Sequence, residues 1–437
     1  MRWTRTWTKD SGVPEMPEDV LRVEGLSTRF FTGEGQVNAV EDVSFSVREG
    51  EVFGIVGESG SGKSVTGLSL VDLVESPGEV TSGKLWYRDA ELAADLRQEF
   101  PAAVDDDYVD LRGVPGAVRT SLRGTSFSMI FQDPESSFNP SLTVGEQIAE
   151  AVEVQQRANS RPRSTRARTD SSEYSLGSLI LSFALPSRRY ISEESRERAV
   201  ELLEMVGIPD PVERADEYPH EYSGGMLQRA MIAQALAGEP DILVADEPTT
   251  ALDVTIQAQV LNLLSDLQEE TGMTVLLITH NLGVIARMCD RVGVMYAGEI
   301  VERGSLADVF RDNVHPYTEG LLGSVPDLES VGGSLDPVPG NVPSLLDHEM
   351  ADRCYFADRC PKAMEACLER PHPRTVDDDG DHLVNCVLGE VSYGDSPPLS
   401  DDYFDDDGDG SSGAATDDDR GATAGEEPAS TDGGASR

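Results

Sequence analysis

An α/β fold built around a mostly parallel sheet is what this sequence predicts, and three observations predict it. The run GESGSGKS at 57–64 fits the phosphate-binding pattern G-x-x-x-x-G-K-[ST] at every fixed position. An apolar stretch at 51–56 precedes it and helical spacing follows over 65–74, the strand, loop and helix context that the motif needs. Further on, apolar strands at 241–246 and 274–279 flank a helical pattern at 254–270 that carries Val260, Leu264 and Leu267 on one face. Helices alternating with apolar strands build a parallel sheet.

The loop itself carries chemistry. Gly57, Glu58, Ser59, Gly60, Ser61 and Gly62 form a turn whose glycines let backbone N–H groups converge on phosphate oxygens, while the helix that follows adds its positive end. Lys63 supplies a mobile cation and Ser64 a hydroxyl for magnesium. The ligand this predicts is a nucleoside triphosphate.

The remaining elements follow in order. Residues 1–18 read as a loose leader, and 20–47 as antiparallel strands, with Val43, Phe45 and Val47 on one face. The stretch 90–123, with Asp105, Asp106, Asp107 and several glycines, reads as a surface elaboration. SFSMIFQD at 126–133 is an apolar strand ending in Gln132, and helical patterning follows over 143–154. Rich in Ser, Arg and Thr, 155–192 reads as a flexible insertion holding one short apolar piece at 176–185 that reads as a small helix. Helical spacing resumes over 193–206, and 291–302 forms a hairpin turning at Gly298. Beyond 323 prolines accumulate, four cysteines follow, and 389–437 holds fourteen acidic residues against two arginines, a composition that cannot bury a core. The expected division is a nucleotide-binding domain over 19–322, an extension over 323–388 and a disordered acidic tail.

Composition narrows the function. In 437 residues, 80 acidic side chains face 35 basic ones, for a net charge of −45, and such a surface repels a phosphate backbone, which argues against nucleic acid as a partner. Only four of the basic residues are lysines, Lys9, Lys63, Lys84 and Lys362. A spread acidic excess nearly free of lysine suits a cytoplasm of very high salt, where self-repulsion is screened. With no apolar run long enough to span a bilayer and no apolar signal core at the N-terminus, the chain is expected to be cytoplasmic or peripheral and its five cysteines reduced unless a metal holds them.

The strand at 241–246 ends in two carboxylates, Asp246 and Glu247. On a parallel sheet its C-terminal edge lies beside the phosphate loop, where Asp246 would hold magnesium and Glu247 would orient and deprotonate the attacking water.

At this point the residues carry a resemblance. YSGGMLQR at 222–229 resembles the signature of ATP-binding-cassette (ABC) ATPases, Gln132 in MIFQDP their Q-loop, Ala251-Leu252-Asp253 their D-loop and His280 in ITHNL their switch histidine. Five motifs stand in the family's order across about 300 residues, roughly 20 to 320. The resemblance implies an ABC ATPase domain: a mostly parallel sheet with an antiparallel β subdomain and a helical subdomain. It also implies two such domains paired head to tail, each ATP lying between the loop of one chain and the signature of the other. Ser223, Gly224 and Gly225 would then contact the γ-phosphate held by a partner, Asp253 would join the nucleotide-binding residues, and Gln132, a catalytic residue and magnesium ligand, would link the magnesium site to membrane subunits. His280 would contact the γ-phosphate, and Phe30 or Phe31 would stack on adenine. Two departures stand out: the signature reads YSGGM where LSGGQ is general, and Asn281 follows His280 where many relatives carry Asp.

EYPHEYSGGMLQR, QDPESSFNP, HPYTEGLL and VPGNVPSLL resemble the ATPases of oligopeptide/dipeptide importers more narrowly. That implies a subunit docked on the cytoplasmic face of two transmembrane permeases, paired with a second ATPase, and served by an extracellular solute-binding protein. Cargo would be peptides or a related solute, nickel or a sugar among them. Cys354, Cys360, Cys367 and Cys386 are separated by five, six and eighteen residues, without a tight C-x-x-C pair. Spacing alone leaves unpaired thiols, zinc or another metal open, and the resemblance implies a four-iron four-sulfur cluster. Cys289, on a helical pattern, reads as core. The alternative is a soluble ABC ATPase of translation or DNA repair, but only one GESGSGKS occurs and no sustained heptads do.

Overall fold

The computed structural model describes residues 18–159, 191–250, 252–324, 338, 340, 342–346, 352–369, 371, 373–376, 381–389 and 397–399. The leader, most of the insertion with its apolar piece, Ala251, and nearly all of the acidic tail lie outside the described residues.

Five apolar runs make the parallel centre of the main sheet: β3 (Val52–Val56), β7 (Phe127–Ile130), β8 (Ile242–Asp246), β9 (Thr274–Thr279) and β10 (Arg291–Tyr296). They stand in the order β10-β3-β9-β8-β7, every neighbouring pair parallel. β3, β8, β9 and β10 are buried along their whole length, which is why they read as unbroken apolar runs and not as alternation. Behind β10 the sheet continues antiparallel, through β11 (Glu299–Ser305). Ala297 and Gly298, both at positive φ (47° and 86°), close that hairpin in the tight turn the sequence predicts.

β1 (Asp19–Phe31) and β2 (Gln36–Arg48) pair antiparallel, as expected, in a second sheet that also holds β4 (Gly78–Arg88), β5 (Val104–Asp105) and β6 (Tyr108–Asp110), in the order β2-β1-β4-β6-β5. Val43, Phe45 and Val47 are buried, and the Phe45 ring stacks on Phe53 of β3 at 5.2 Å, fixing the second sheet to the first. β4 (Gly78–Arg88), with no counterpart in the sequence reading, fills the place beside β1.

The stretch 90–123 is not a surface elaboration. It folds into α2 (Ala90–Leu96), β5 (Val104–Asp105), β6 (Tyr108–Asp110) and α3 (Gly116–Leu122), with Leu92, Leu96, Val109, Leu111, Val118 and Leu122 all buried. Asp106 and Asp107 of its acidic triplet make the tight turn between β5 and β6, where Asp106 takes φ 44°, and the surrounding apolar residues complete the core under the antiparallel sheet. At about 2 kcal/mol per buried large side chain, that burial outweighs the polar look of the segment.

Helices complete the layers. α1 (Lys63–Leu70) is shorter than the periodicity suggests, while α4 (Val144–Asn159) runs on past Val154, so 155–159 are helix and not insertion. α4 packs with α5 (Glu193–Met205) and α6 (Gly224–Ala235) through Ile148, Val152, Leu202, Leu203, Leu227 and Met231. α7 (Val254–Thr271) buries Val260, Leu264 and Leu267, the predicted face. α8 (Leu282–Met288), α9 (Leu306–Arg311) and α10 (Pro316–Gly323) follow, and Cys289 after α8 is buried core.

The extension is stitched into this body. β13 (Leu383–Val384) pairs antiparallel with β11, and β12 (Arg374–Thr375) with β13. Buried Glu302 of β11 accepts from the backbone N–H of Val314 and His315 and meets Nε2 of His382 at 2.9 Å. Phe356 joins Tyr296 and Tyr317 in one aromatic cluster. Among the described residues no helix is long and apolar enough to cross a membrane.

Candidate active site

β3 delivers the chain into the phosphate loop, and the loop opens α1. Gly62, the residue before α1, has φ 100°, and a Cβ there would lie 2.2 Å from the Ala39 carbonyl oxygen, so no other residue fits. Lys63 is only 5% exposed; its Nζ donates to the carbonyls of Gly57 (2.9 Å) and Glu58 (2.8 Å) and to Ser61 Oγ (3.4 Å). Burial lowers its pKa, against the opposing pull of Glu247, Asp246 and Glu58. The ammonium is folded back onto its own loop, in the cradle that phosphate oxygens would enter.

Asp246 ends β8, beside the loop. Ser64 Oγ donates to Asp246 Oδ1 at 3.0 Å, joining two of the three predicted magnesium residues, while the third, Gln132, bonds Glu247. Burial raises the Asp246 pKa, and the neighbouring Glu247 charge adds to this while Ser64 and Lys63 oppose it.

Glu247 follows at φ 46°, an uncommon conformation for a non-glycine residue, held by its N–H donating to the Ile278 carbonyl at 2.8 Å. Three side chains converge on its carboxylate: Thr250 Oγ1 (2.7 Å) and Gln132 Nε2 (3.2 Å) donate to Oε2, and His280 Nδ1 lies 3.0 Å from Oε1. Burial works to raise the Glu247 pKa, but the hydrogen bonds from Thr250 and His280, with the charges of His280 and Lys63, outweigh it and leave it lowered. Glu247 is therefore an anionic acceptor at neutral pH, the form a general base needs. Gln132 and His280 are both exposed, and Asn281 caps α8 through Oδ1 and the Gly283 N–H.

No hydrogen bond among the described residues joins Ser223, Gly224, Gly225 or Asp253 to this cluster, and the side-chain bonds they make are local. Ser223 Oγ caps α6 by accepting from the Met226 N–H, and Asp253 caps α7 by accepting from Thr255 and Ile256. A Cβ on Gly225 would press on Ile256 of α7, whereas one on Gly224 would meet nothing within 4 Å. Ser223 and Gly224 are exposed, so the first turn of α6 faces outward. Phe30 lies against Gly78, and Phe31 beside it is 50% exposed.

Three contacts were not anticipated. Thr250 holds Glu247 and is signalled only by lying three residues after it. Tyr317 Oη accepts from the Glu58 N–H at 2.9 Å, and Arg359 grips the Glu58 carboxylate. These last two lie some 260 and 300 residues from the loop, and no local spacing announces them.

The four predicted cysteines come together. They are free thiols within electrostatic reach of one another; burial pushes all four up, Cys360 to about 11 and Cys386 to about 12. Among the described residues, however, no group of three or more His, Cys, Asp or Glu side chains is set to hold a metal ion, so the predicted metal site is not formed by this arrangement as it stands.

Residues 40–250 match the ABC transporter family, and 301–367 match the oligopeptide/dipeptide transporter C-terminal region. The dipeptide transport ATP-binding protein DppD of Bacillus subtilis (strain 168) is 42% identical over 372 residues, covering 85% of this chain and 95% of that protein. The oligopeptide transport ATP-binding protein AppD of the same organism is 40% identical, with coverage of 85% and 97%. A putative peptide import ATP-binding protein of Brucella abortus (strain 2308) is 43% identical over 357 residues, with coverage of 80% and 91%. Among solved structures, the dimeric post-hydrolysis state of the ATP-binding cassette MJ0796 bound to ADP and Pi aligns at 26% identity over 65% of this chain and 98% of that one, with a TM-score of 0.46. At that identity and coverage of its relatives, the chain belongs to the ABC transporter family and carries the C-terminal region of its oligopeptide/dipeptide branch.

Proposed function

We propose that this chain is the ATP-hydrolysing subunit of an ABC importer for dipeptides, oligopeptides or a related solute. The observation that carries the reading is the Glu247 carboxylate, held between Gln132, Thr250 and His280 at the end of the strand beside the phosphate loop. Glu247 would accept the proton of the attacking water, Lys63 would leave the Gly57 and Glu58 carbonyls for phosphate oxygens, and His280 would support the γ-phosphate. Ser64 and Asp246, already in contact, fit a magnesium site with Gln132 at its edge; magnesium would neutralise charge developing on the phosphates. The outward-facing Ser223 and Gly224 at the start of α6 support a second ATPase chain completing each site head to tail, with Asp253 at the joint. The two permeases would hold the pair on the cytoplasmic face of the membrane, fed by a solute-binding protein. Exposed Phe31, or Phe30 beside it, would stack on adenine.

The test is Glu247→Gln, which keeps the size and shape of the side chain but turns one acceptor oxygen into an N–H donor and removes the base. It is expected to cut ATP turnover by about 100-fold or more and to trap an ATP-bound dimer, seen as a shift in size-exclusion chromatography. Unchanged turnover would overturn the assignment.

For the extension, four free thiols supply the ligand type of an iron–sulfur cluster, although the described arrangement would have to close further to hold one. Cys354, Cys360, Cys367 and Cys386 would hold it, and binding would reverse the pressure of burial against their thiolates. Anaerobically purified protein is expected to absorb in the visible range and to lose that absorbance in Cys360→Ser. Colourless protein loaded with zinc would refute the cluster. The acidic surface further supports a setting of very high salt.

A further inference from the structure

Glu58, the second residue of the phosphate loop, is held at every polar position. Its N–H donates to Tyr317 Oη at 2.9 Å, and its carbonyl accepts from Lys63 Nζ at 2.8 Å. Both carboxylate oxygens are taken by one guanidinium: Arg359 Nη1 donates to Oε2 at 2.8 Å and Nη2 to Oε1 at 3.1 Å. Such a fork fixes direction as well as distance. Arg359 is itself immobilised, at 8% exposure: it lies 5.6 Å from the Tyr296 ring centroid, donates to Tyr296 Oη, and donates to the Val338 carbonyl. Burial opposes its charge, and the hydrogen bonds to Glu58 and Tyr296 more than compensate. The residue after it is Cys360, one of the four clustered thiols.

We propose that Arg359 is a positioning residue for nucleotide binding: through Glu58 it sets the peptide on which Lys63 rests, and so ties the conformation of the cysteine segment to that of the phosphate loop. Lys63 must exchange the Glu58 carbonyl for phosphate oxygens. If that carbonyl stays fixed, the lysine has one short path between the two; if Glu58 is free to swing, the loop binds phosphate from a broader ensemble and loses affinity. Rearrangement around Cys360 would reach the loop by the same route. The inference rests on the nucleotide site proposed above.

The test is a double-mutant cycle in the full chain, read by equilibrium titration with a fluorescent ATP analogue and by steady-state ATPase kinetics. Arg359→Gln and Glu58→Gln are each expected to raise the nucleotide Kd about tenfold. The double variant is expected to be no worse than either single one, with kcat at saturating ATP nearly unchanged. Arg359→Lys, which keeps a charge but cannot span both oxygens, is expected to fall between. Lys362→Gln, two residues beyond Cys360 and paired with exposed Glu319, is expected to leave Kd unchanged. A merely structural role for Arg359 would lower the melting temperature and the active fraction without moving the Kd of what remains folded. Additive effects in the double variant, or an unchanged Kd in Glu58→Gln, would overturn the proposal; the Glu58 arm stands even where Arg359→Gln does not fold. Failure of the unaltered protein to bind the nucleotide would instead overturn the site itself.

Discussion

Lys63 is one of four lysines in a chain that otherwise uses arginine, and the loop shows why this position keeps the smaller cation. Three acceptors, the carbonyls of Gly57 and Glu58 and the hydroxyl of Ser61, surround a buried ammonium within 3.4 Å. A tetrahedral ammonium can satisfy scattered acceptors and then turn to phosphates, whereas a planar guanidinium presents a rigid fork and needs more room. Lys63→Arg is therefore expected to lower ATP hydrolysis by about 100-fold or more despite the retained charge, measured as phosphate release at saturating ATP. Near-normal release would show that charge alone matters here. Residues of this kind are legible in sequence because the loop, the Asp246-Glu247 pair and His280 each sit at the end of a strand, and the parallel sheet gathers strand ends at one edge. Thr250 is not legible, since a threonine three residues after a carboxylate is ordinary. Arg359 is less so, because its meaning lies in where the extension folds.

At the scale of elements, legibility follows length and period. β3, β8 and β9 are buried on both faces and show as apolar runs; α7 spans 18 residues and repeats its buried face. β4 escapes because only Leu85 and Tyr87, near its end, are buried, leaving too short an alternation to stand out. α2, α3, β5 and β6 escape for the same reason: each is seven residues or fewer, and Asp105, Asp106 and Asp107 give the stretch a polar cast. Tertiary burial of Leu92, Leu96, Val118 and Leu122 decides their structure, and burial is a property of the partners. The extension is a sharper case. Its strands β12 and β13 are two residues long, yet they carry Cys386 and its neighbours onto the edge of the main sheet through Val384 and Leu383.

At the scale of the whole molecule the deciding quantity is charge. Even with every cation paired, 45 of the 80 carboxylates would have no basic partner, and the ion pairs among the described residues are mostly half-exposed ones such as Arg22 with Asp19 and Arg198 with Glu201, with few buried like Arg291 with Glu51. Exposed pairs contribute only about 0–1 kcal/mol each, so salt that screens them removes little. The same salt relieves the repulsion among unpaired carboxylates, whose range falls from about 10 Å at 0.1 M to about 3 Å at 1 M. The second effect acts on more groups and carries the net sign. Stability is therefore expected to rise with salt: between 0.1 and 2 M KCl the melting temperature of the full chain should increase by about 5 °C or more, with ATPase activity rising alongside. The Lys63 ammonium and the Asp246 carboxylate bonded to Ser64 are buried and so partly shielded from solvent ions, and high salt is expected to act on the fold that presents the site and to leave the site itself working. Protein that keeps its fold and ATPase activity in dilute buffer and loses both in molar KCl would contradict this balance of charge.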